Sequence, residues 1–179
     1  MRTREATIED SESLAHIQVD SYRGAYTGIL PAAYLMQFTY EEQTQDWRDL
    51  LGQAQHDLLY VIETDAGDIV GYALAKPGLT SIVPYDSELV ALHIRKASQR
   101  QGAGRQLIAA SARRLQQAGC ASLMLWTLAQ NPARILYERL GGRLIGEQEI
   151  IVGDNATAVE VAYGWPNIEA LCANEGGIL

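Results

Sequence analysis

The chain is short of cysteine, of clustered basic charge and of long apolar runs, and each shortage closes off a class of protein. Cys120 and Cys172 are its two cysteines, and their spacing makes neither a zinc motif nor a disulfide framework. Cys120 falls between a predicted helix and an apolar strand, which suits a small buried hydrophobe. Lysine and arginine form no run, and a net charge of −8 with a pI near 4.8 argues against a nucleic-acid surface. No apolar stretch approaches the roughly eighteen residues of a membrane span, and the charged N-terminus does not read as a secretory signal. The expectation is a cytoplasmic protein with no nucleic-acid or membrane partner. No group of His, Cys and Asp has ligand spacing, so no metal is expected, and His16 and His56 lack a partner pattern. Repeats, linkers and low-complexity segments are also missing. The 179 residues therefore read as one domain over 1–166 and a tail over 167–179.

What is present is ordinary globular composition, 47% hydrophobic and 20% charged. One stretch organises the rest: SELVALHIRKASQRQGAGRQLIAAS, from Ser87 to Ser111. Glu88, Val90, Leu92 and Ile94 alternate with Leu89, Ala91 and His93 in a near-continuous apolar run, the pattern of a buried strand. Gly102 and Gly104 punctuate the chain, and Leu107, Ile108, Ala112 and Leu115 then recur at helical spacing. Such a strand–turn–helix aims the free N–H groups of a helix N-terminus at one point, an anion site that glycines let a phosphate approach. A dinucleotide fingerprint would need a third glycine where Leu107 stands, and a Walker loop would need Gly-Lys-Ser/Thr. Neither is there.

Around this centre the elements follow in order. Residues 1–6 suit an edge strand, Asp10 an N-cap, and Leu14, Ile17, Val19 and Tyr22 a first helix. A tyrosine-rich stretch, broken by Gly24, Gly28 and Pro31, leads to Thr39 and Glu42, a capping box for a helix carrying Trp47, Leu50 and Leu51. Strands at 58–64 and 69–76 flank an Asp-Ala-Gly-Asp turn. After the glycine turn a helix stops at Gly119, and a strand at 121–128 puts Met124, Trp126 and Leu128 on one face. Asn131-Pro132 opens a helix with Ala133, Leu136, Tyr137 and Leu140 on one stripe. A hairpin of strands 143–152 and 156–165 around Gly-Asp-Asn closes the fold, and a short helix is expected in the tail.

The sequence Gln99-x-x-Gly102-x-Gly104, set between that strand and helix, resembles motif A of the GNAT superfamily of acyl-CoA-dependent N-acetyltransferases. The β-α-α-β-β-β-α-β-α-β-β order and the opening SYRGAYTGILP are similar to that superfamily as well. The resemblance implies a mixed α/β fold, a central sheet of about seven strands flanked by about four helices. It also implies acetyl-CoA as cofactor and transfer to a small-molecule or peptide amine, with a homodimer compatible with it. The alternative is a non-catalytic acyl-CoA-binding module.

By that resemblance, backbone amides from about Gln101 through Gly102, Ala103 and Gly104 to Arg105 hold the pyrophosphate of coenzyme A, and Gln99 and Arg100 belong to the same cofactor site. The backbone of Leu92, His93 and Ile94 then meets its pantetheine arm and thioester, and an N–H near His93 serves the oxyanion. Tyr137 takes the place of the residue that protonates the leaving thiolate. Asn131 or Gln130 is a coenzyme contact. Glu88 occupies the position of a catalytic glutamate, either a base working through water or an attractor of the ammonium. The acceptor pocket falls to Tyr22, Tyr26, Trp47, Trp126 and Glu88, since aromatics and a carboxylate suit a cation. A small amine, an antibiotic amine and a peptide α-amine all fit.

Overall fold

A seven-stranded sheet in the order β1-β2-β3-β4-β5-β7-β6 forms the centre of the computed structural model, which describes residues 1–53, 58–78, 80–153 and 156–172. Its strands are β1 (Arg2–Glu5), β2 (Leu58–Glu63), β3 (Ile69–Pro77), β4 (Ser87–Ile94), β5 (Leu123–Leu128), β6 (Arg143–Val152) and β7 (Ala156–Trp165). Among these neighbours only β4 and β5 run parallel. Among the described residues six α-helices accompany the sheet: α1 (Ser11–Tyr26), α2 (Ala32–Met36), α3 (Tyr40–Leu51), α4 (Ala103–Gln117), α5 (Arg134–Arg139) and α6 (Glu169–Cys172). The mixed α/β class is as expected. The helices beyond the expected four are α6, anticipated in the tail, and α2, which Gly28 and Pro31 had masked as a broken loop. His56, part of the Gly-Asp-Asn turn and residues 173–179 lie outside the described residues.

Local chemistry places the helices. At α3 the Thr39 hydroxyl accepts from the Glu42 N–H (3.2 Å) and donates to the Glu42 carboxylate (2.7 Å), so the capping-box residues hold the first turn. Asp10 precedes α1, but its carboxylate is engaged by the Arg4 guanidinium (2.7 and 2.9 Å) and the Thr7 N–H (2.8 Å), tying β1 to the start of the helix.

Two apolar layers sandwich the sheet. On one face α4 buries Leu107, Ile108 and Leu115 against Leu89, Leu123 and Leu125, and Ile168 and Leu171 join this core from beyond Pro166. On the other face Leu14 and Ile17 of α1 pack on Val61, Tyr72 and Leu74. Trp47 belongs to this second core. Its ring meets Tyr72 edge-on (5.2 Å between centroids) and its Nε1 donates to Gln18 (2.8 Å), so the expectation that it lines an acceptor pocket is corrected: packing has claimed it.

One irregularity decides which face β4 presents. Opposite β3, Leu74 pairs with Ala91 but Ala75 pairs with Leu89, leaving Val90 as an extra, exposed residue. Strict alternation would group Glu88 with Leu92 and Ile94. The bulge instead moves Glu88 to the α1 side with Ala91 and His93, and leaves Leu89, Leu92 and Ile94 facing α4.

Candidate active site

The site begins where β4 and β5 come apart. Among the described residues they share a single bridging pair, Glu88 with Met124. A knot at Asp86 fastens the closed end. Its carboxylate accepts from the N–H groups of Ala121 (2.8 Å) and Ser122 (2.9 Å) and from the Ser122 hydroxyl (2.8 Å), while the Ser87 hydroxyl donates to the Ser122 carbonyl (2.5 Å). Although desolvation opposes it, these backbone and hydroxyl donors hold the Asp86 carboxyl below its ordinary range. From this apex the strands diverge.

The opening passes through the sheet. Leu89, Leu92, Leu125 and Tyr137 line it on the α4–α5 side, and Tyr22, Tyr26, His93, Trp126 and Glu160 on the α1 side. Backbone N–H and C=O groups facing the gap lack the strand partner a regular parallel pair would give them.

Beside the α4 side of the gap lies the glycine turn. Gly102 stands just before α4 in the left-handed region (φ +86°), Arg100 shares that region (φ +61°), and no side chain caps the helix N-terminus. The first turn of this fifteen-residue helix thus has no side-chain cap, and the N–H groups of such a turn are the donor set an anionic phosphate needs. Gly104 has a different reason. A Cβ there would come within 3.0 Å of the Leu136 side chain, so its bareness lets α4 and α5 approach each other.

Burial sets the electrostatics of the gap. The Tyr137 ring is packed near Tyr163 and Trp165 (5.9 and 6.4 Å), its residue is only 5% exposed, and no described residue hydrogen-bonds its hydroxyl. Desolvation pushes its phenol well above the ordinary value, and pushes that of Tyr26 up to about 12. His93 lies between Tyr22 and Tyr72 (5.6 and 5.2 Å), where burial pushes its imidazole down to about 4, so it is neutral at pH 7. The Glu88 carboxyl is raised, first by desolvation and then by the charge of Glu160.

Sequence comparison decides what this geometry belongs to. Residues 17–142 match the Acetyltransferase (GNAT) family. The chain belongs to the GNAT acetyltransferase family. As a GNAT protein it is an N-acetyltransferase with acetyl-CoA as its cofactor, and the uncapped turn at Gly102 suits that anionic donor. It is similar to the Uncharacterized N-acetyltransferase YuaI of Bacillus subtilis (strain 168), 35% identical over 170 residues covering 94% of each chain. In fold it resembles the PaiA N-acetyltransferase of Thermoplasma acidophilum in complex with coenzyme A, with a TM-score of 0.68 and 17% identity over 92% of this chain and 98% of that one. It likewise resembles YncA of Salmonella typhimurium with acetyl-CoA, with a TM-score of 0.69 and 19% identity over 100% of this chain and 97% of that one.

The fold brings many of the residues singled out in this GNAT sequence together at the gap: Leu92, His93, Trp126, Asn131, Tyr22, Tyr26 and Tyr137 all line it. Glu88 and the turn from Gln99 to Arg105 are not among the residues that line it: Glu88 sits at the closed end opposite Met124, and the turn follows β4. Ile94 packs toward the α4 core, and Gln99 donates to the Ile94 carbonyl (3.1 Å), closing the turn back on the strand. Asn131 is occupied within the protein, because its amide donates to Thr127 (2.9 Å) while its carbonyl accepts from Ala133 (2.9 Å) and starts the α5 turn. The sequence reading missed Tyr34 on α2 and Glu160 on β7. Glu160 had a signal: it is the lone charge in ATAVEVAYGW, flanked on its own face by Ala158 and Ala162, whose small side chains leave room beside it.

Proposed function

We propose that this acetyltransferase transfers its acetyl group directly to a primary amine in a ternary complex, with donor and acceptor reaching the gap from opposite faces of the sheet. The observation that carries this reading is the opening between β4 and β5, lined from both sides. The turn from Gln99 to Arg105 holds the pyrophosphate, and the unpaired backbone of β4 around His93 receives the pantetheine arm and the charge that develops on the acyl oxygen. When bound, acetyl-CoA supplies an acyl thioester that an amine can attack. The thiols of Cys120 and Cys172 do not line the gap, and burial raises both, which fits a reaction without a cysteine acyl-enzyme.

Tyr137 delivers the proton to the departing sulfur. A thiol titrates near ~8.5 and a phenol near ~10, so the transfer is uphill by about 2 kcal/mol in water. Burial raises the Tyr137 phenol, and a thiolate desolvated in the same place would be raised with it. Glu88 serves the amine. Direct abstraction from an ammonium near ~10 by a carboxylate near ~4.3 would cost about 8 kcal/mol. A carboxyl raised by desolvation narrows that difference, and a water between the two, or attraction of the ammonium, does the rest.

The test is kinetic. Tyr137→Phe is expected to lower kcat about 100-fold, the lower end for general-acid catalysis because a thiolate is a fair leaving group. Acetyl-CoA affinity, read by thermal shift, should stay within about threefold, the ring being retained. Unchanged turnover in both Tyr137→Phe and Glu88→Gln would sink these assignments.

A further inference from the structure

The α1 side of the gap carries a feature that amine acetylation alone does not require. Glu160 is the one charged residue among the described residues that line the opening, and the side-chain partner it has is Gln148, a long contact at 3.3 Å. Around it stand Tyr22, Tyr26 and Tyr34, with Ile150 and Val152 of the β6–β7 hairpin behind. Among the described residues no arginine or lysine lines the gap to neutralise it. In register Glu160 sits opposite Leu128 of β5, whereas Glu88 sits opposite Met124, four residues back along the same strand and on the same face. Glu160 thus lines the opening while Glu88 stands at its closed end, near enough for the charge of Glu160 to bear on it.

We infer that Glu160 is a specificity residue that holds a second, non-reacting positive charge of the acceptor, so that the preferred acceptor is an amine bearing another cationic group. The inference rests on the direct-transfer reading given above. Its physical ground is the fate of charge during the reaction. The attacking nitrogen must lose its proton before it bonds to the acyl carbon, so a contact that depends on its positive charge is lost during the reaction. A cation elsewhere on the same molecule keeps its charge from binding to product. Contact with that group holds ground state and transition state alike, and tyrosine faces beside the carboxylate suit it. Glu88 then attends the reacting nitrogen and Glu160 its companion.

The experiment compares steady-state acetylation of diaminobutane with butylamine, and of a lysine-containing dipeptide amide with its alanine counterpart, in the wild-type enzyme and in Glu160→Gln and Glu160→Asp. The expected wild-type preference in kcat/KM for the doubly charged member of each pair is about tenfold or more, the worth of one charged hydrogen bond. In Glu160→Gln that ratio should fall at least about tenfold, through KM rather than kcat, and Glu160→Asp should restore part of it. Higher ionic strength should erode the wild-type preference. A ratio unchanged in Glu160→Gln, equal losses on singly and doubly charged acceptors, or a wild-type enzyme that does not favour the doubly charged member would each overturn the inference. A thermal shift with acetyl-CoA separates these outcomes from failure of the underlying reading. Wild-type enzyme that shows no shift and acetylates no amine refutes direct transfer itself, whereas a normal shift in Glu160→Gln shows that the variant is folded and loads its donor.

Discussion

Replacing Asp86 by alanine should loosen the apex from which β4 and β5 diverge, and the cost can be worked from its contacts. Three donors converge on one carboxylate: two backbone N–H groups and a hydroxyl, all at 2.8–2.9 Å. Hydrogen bonds to a charged acceptor are worth about 1.5–3 kcal/mol where shielded from water. The two from Ser122 are partly buried and count near the lower figure; the one from Ala121 lies at the exposed edge and adds less. The sum is about 3 kcal/mol, and for a domain of this size it should lower Tm by roughly 6–12 °C. The pH dependence adds a check. Because folding depresses the Asp86 carboxyl, its contribution is complete above the unfolded carboxyl value, about 4, and is lost as pH falls through the folded value. Asp86→Asn should therefore show a shallower decline in stability between pH 5 and 2 than wild type, by chemical denaturation at each pH. Turnover should suffer as well, since the same contacts fix the pair Glu88–Met124. An Asp86→Ala protein within about 1 kcal/mol of wild type, with full activity, would refute the view that this knot sets the gap.

Two further substitutions probe the glycine positions around the gap. At Gly102 a Cβ meets nothing nearer than 3.9 Å, so Gly102→Ala is a test of backbone conformation alone: about 1 kcal/mol lost from the left-handed turn, with weaker acetyl-CoA binding, both read by thermal shift with and without donor. At Gly71 a Cβ would stand 2.5 Å from Ile94 Cδ1 and 2.8 Å from the His93 carbonyl, so Gly71→Ala must push β4 away from β3; about 1–3 kcal/mol of stability, measured by denaturant titration, should go with it.

Much of this was legible in the residues. Period-2 and period-3.6 patterns gave strands and helices nearly in place, because one face of each is buried and the pattern records which. The pairing of glycine turn and helix was readable for the same reason, as was Tyr137 on its stripe. Three things were not. Trp47 looked like a pocket aromatic, but the identity of a ring does not say whether a core or a cleft will hold it. Glu88 was read with Leu92 because alternation carries no trace of a bulge; only the partner strand reveals that Val90 is extra. Glu160 lies some seventy residues beyond Glu88 in sequence, and their meeting at one opening is a product of β7 inserting between β5 and β6.

The opening through the sheet has a consequence for how such an enzyme can change. In the direct-transfer arrangement proposed above, the walls on its two sides come from different parts of the chain: β4, β5 and α5 toward the donor, and α1, α2 and the β6–β7 hairpin toward the acceptor. Mutations that reshape the second wall leave the first intact, so a new acceptor can be acquired without relearning the cofactor. The order of events at the bench should carry the same imprint: neither substrate has to pass the other's doorway, and either one can enter first and wait.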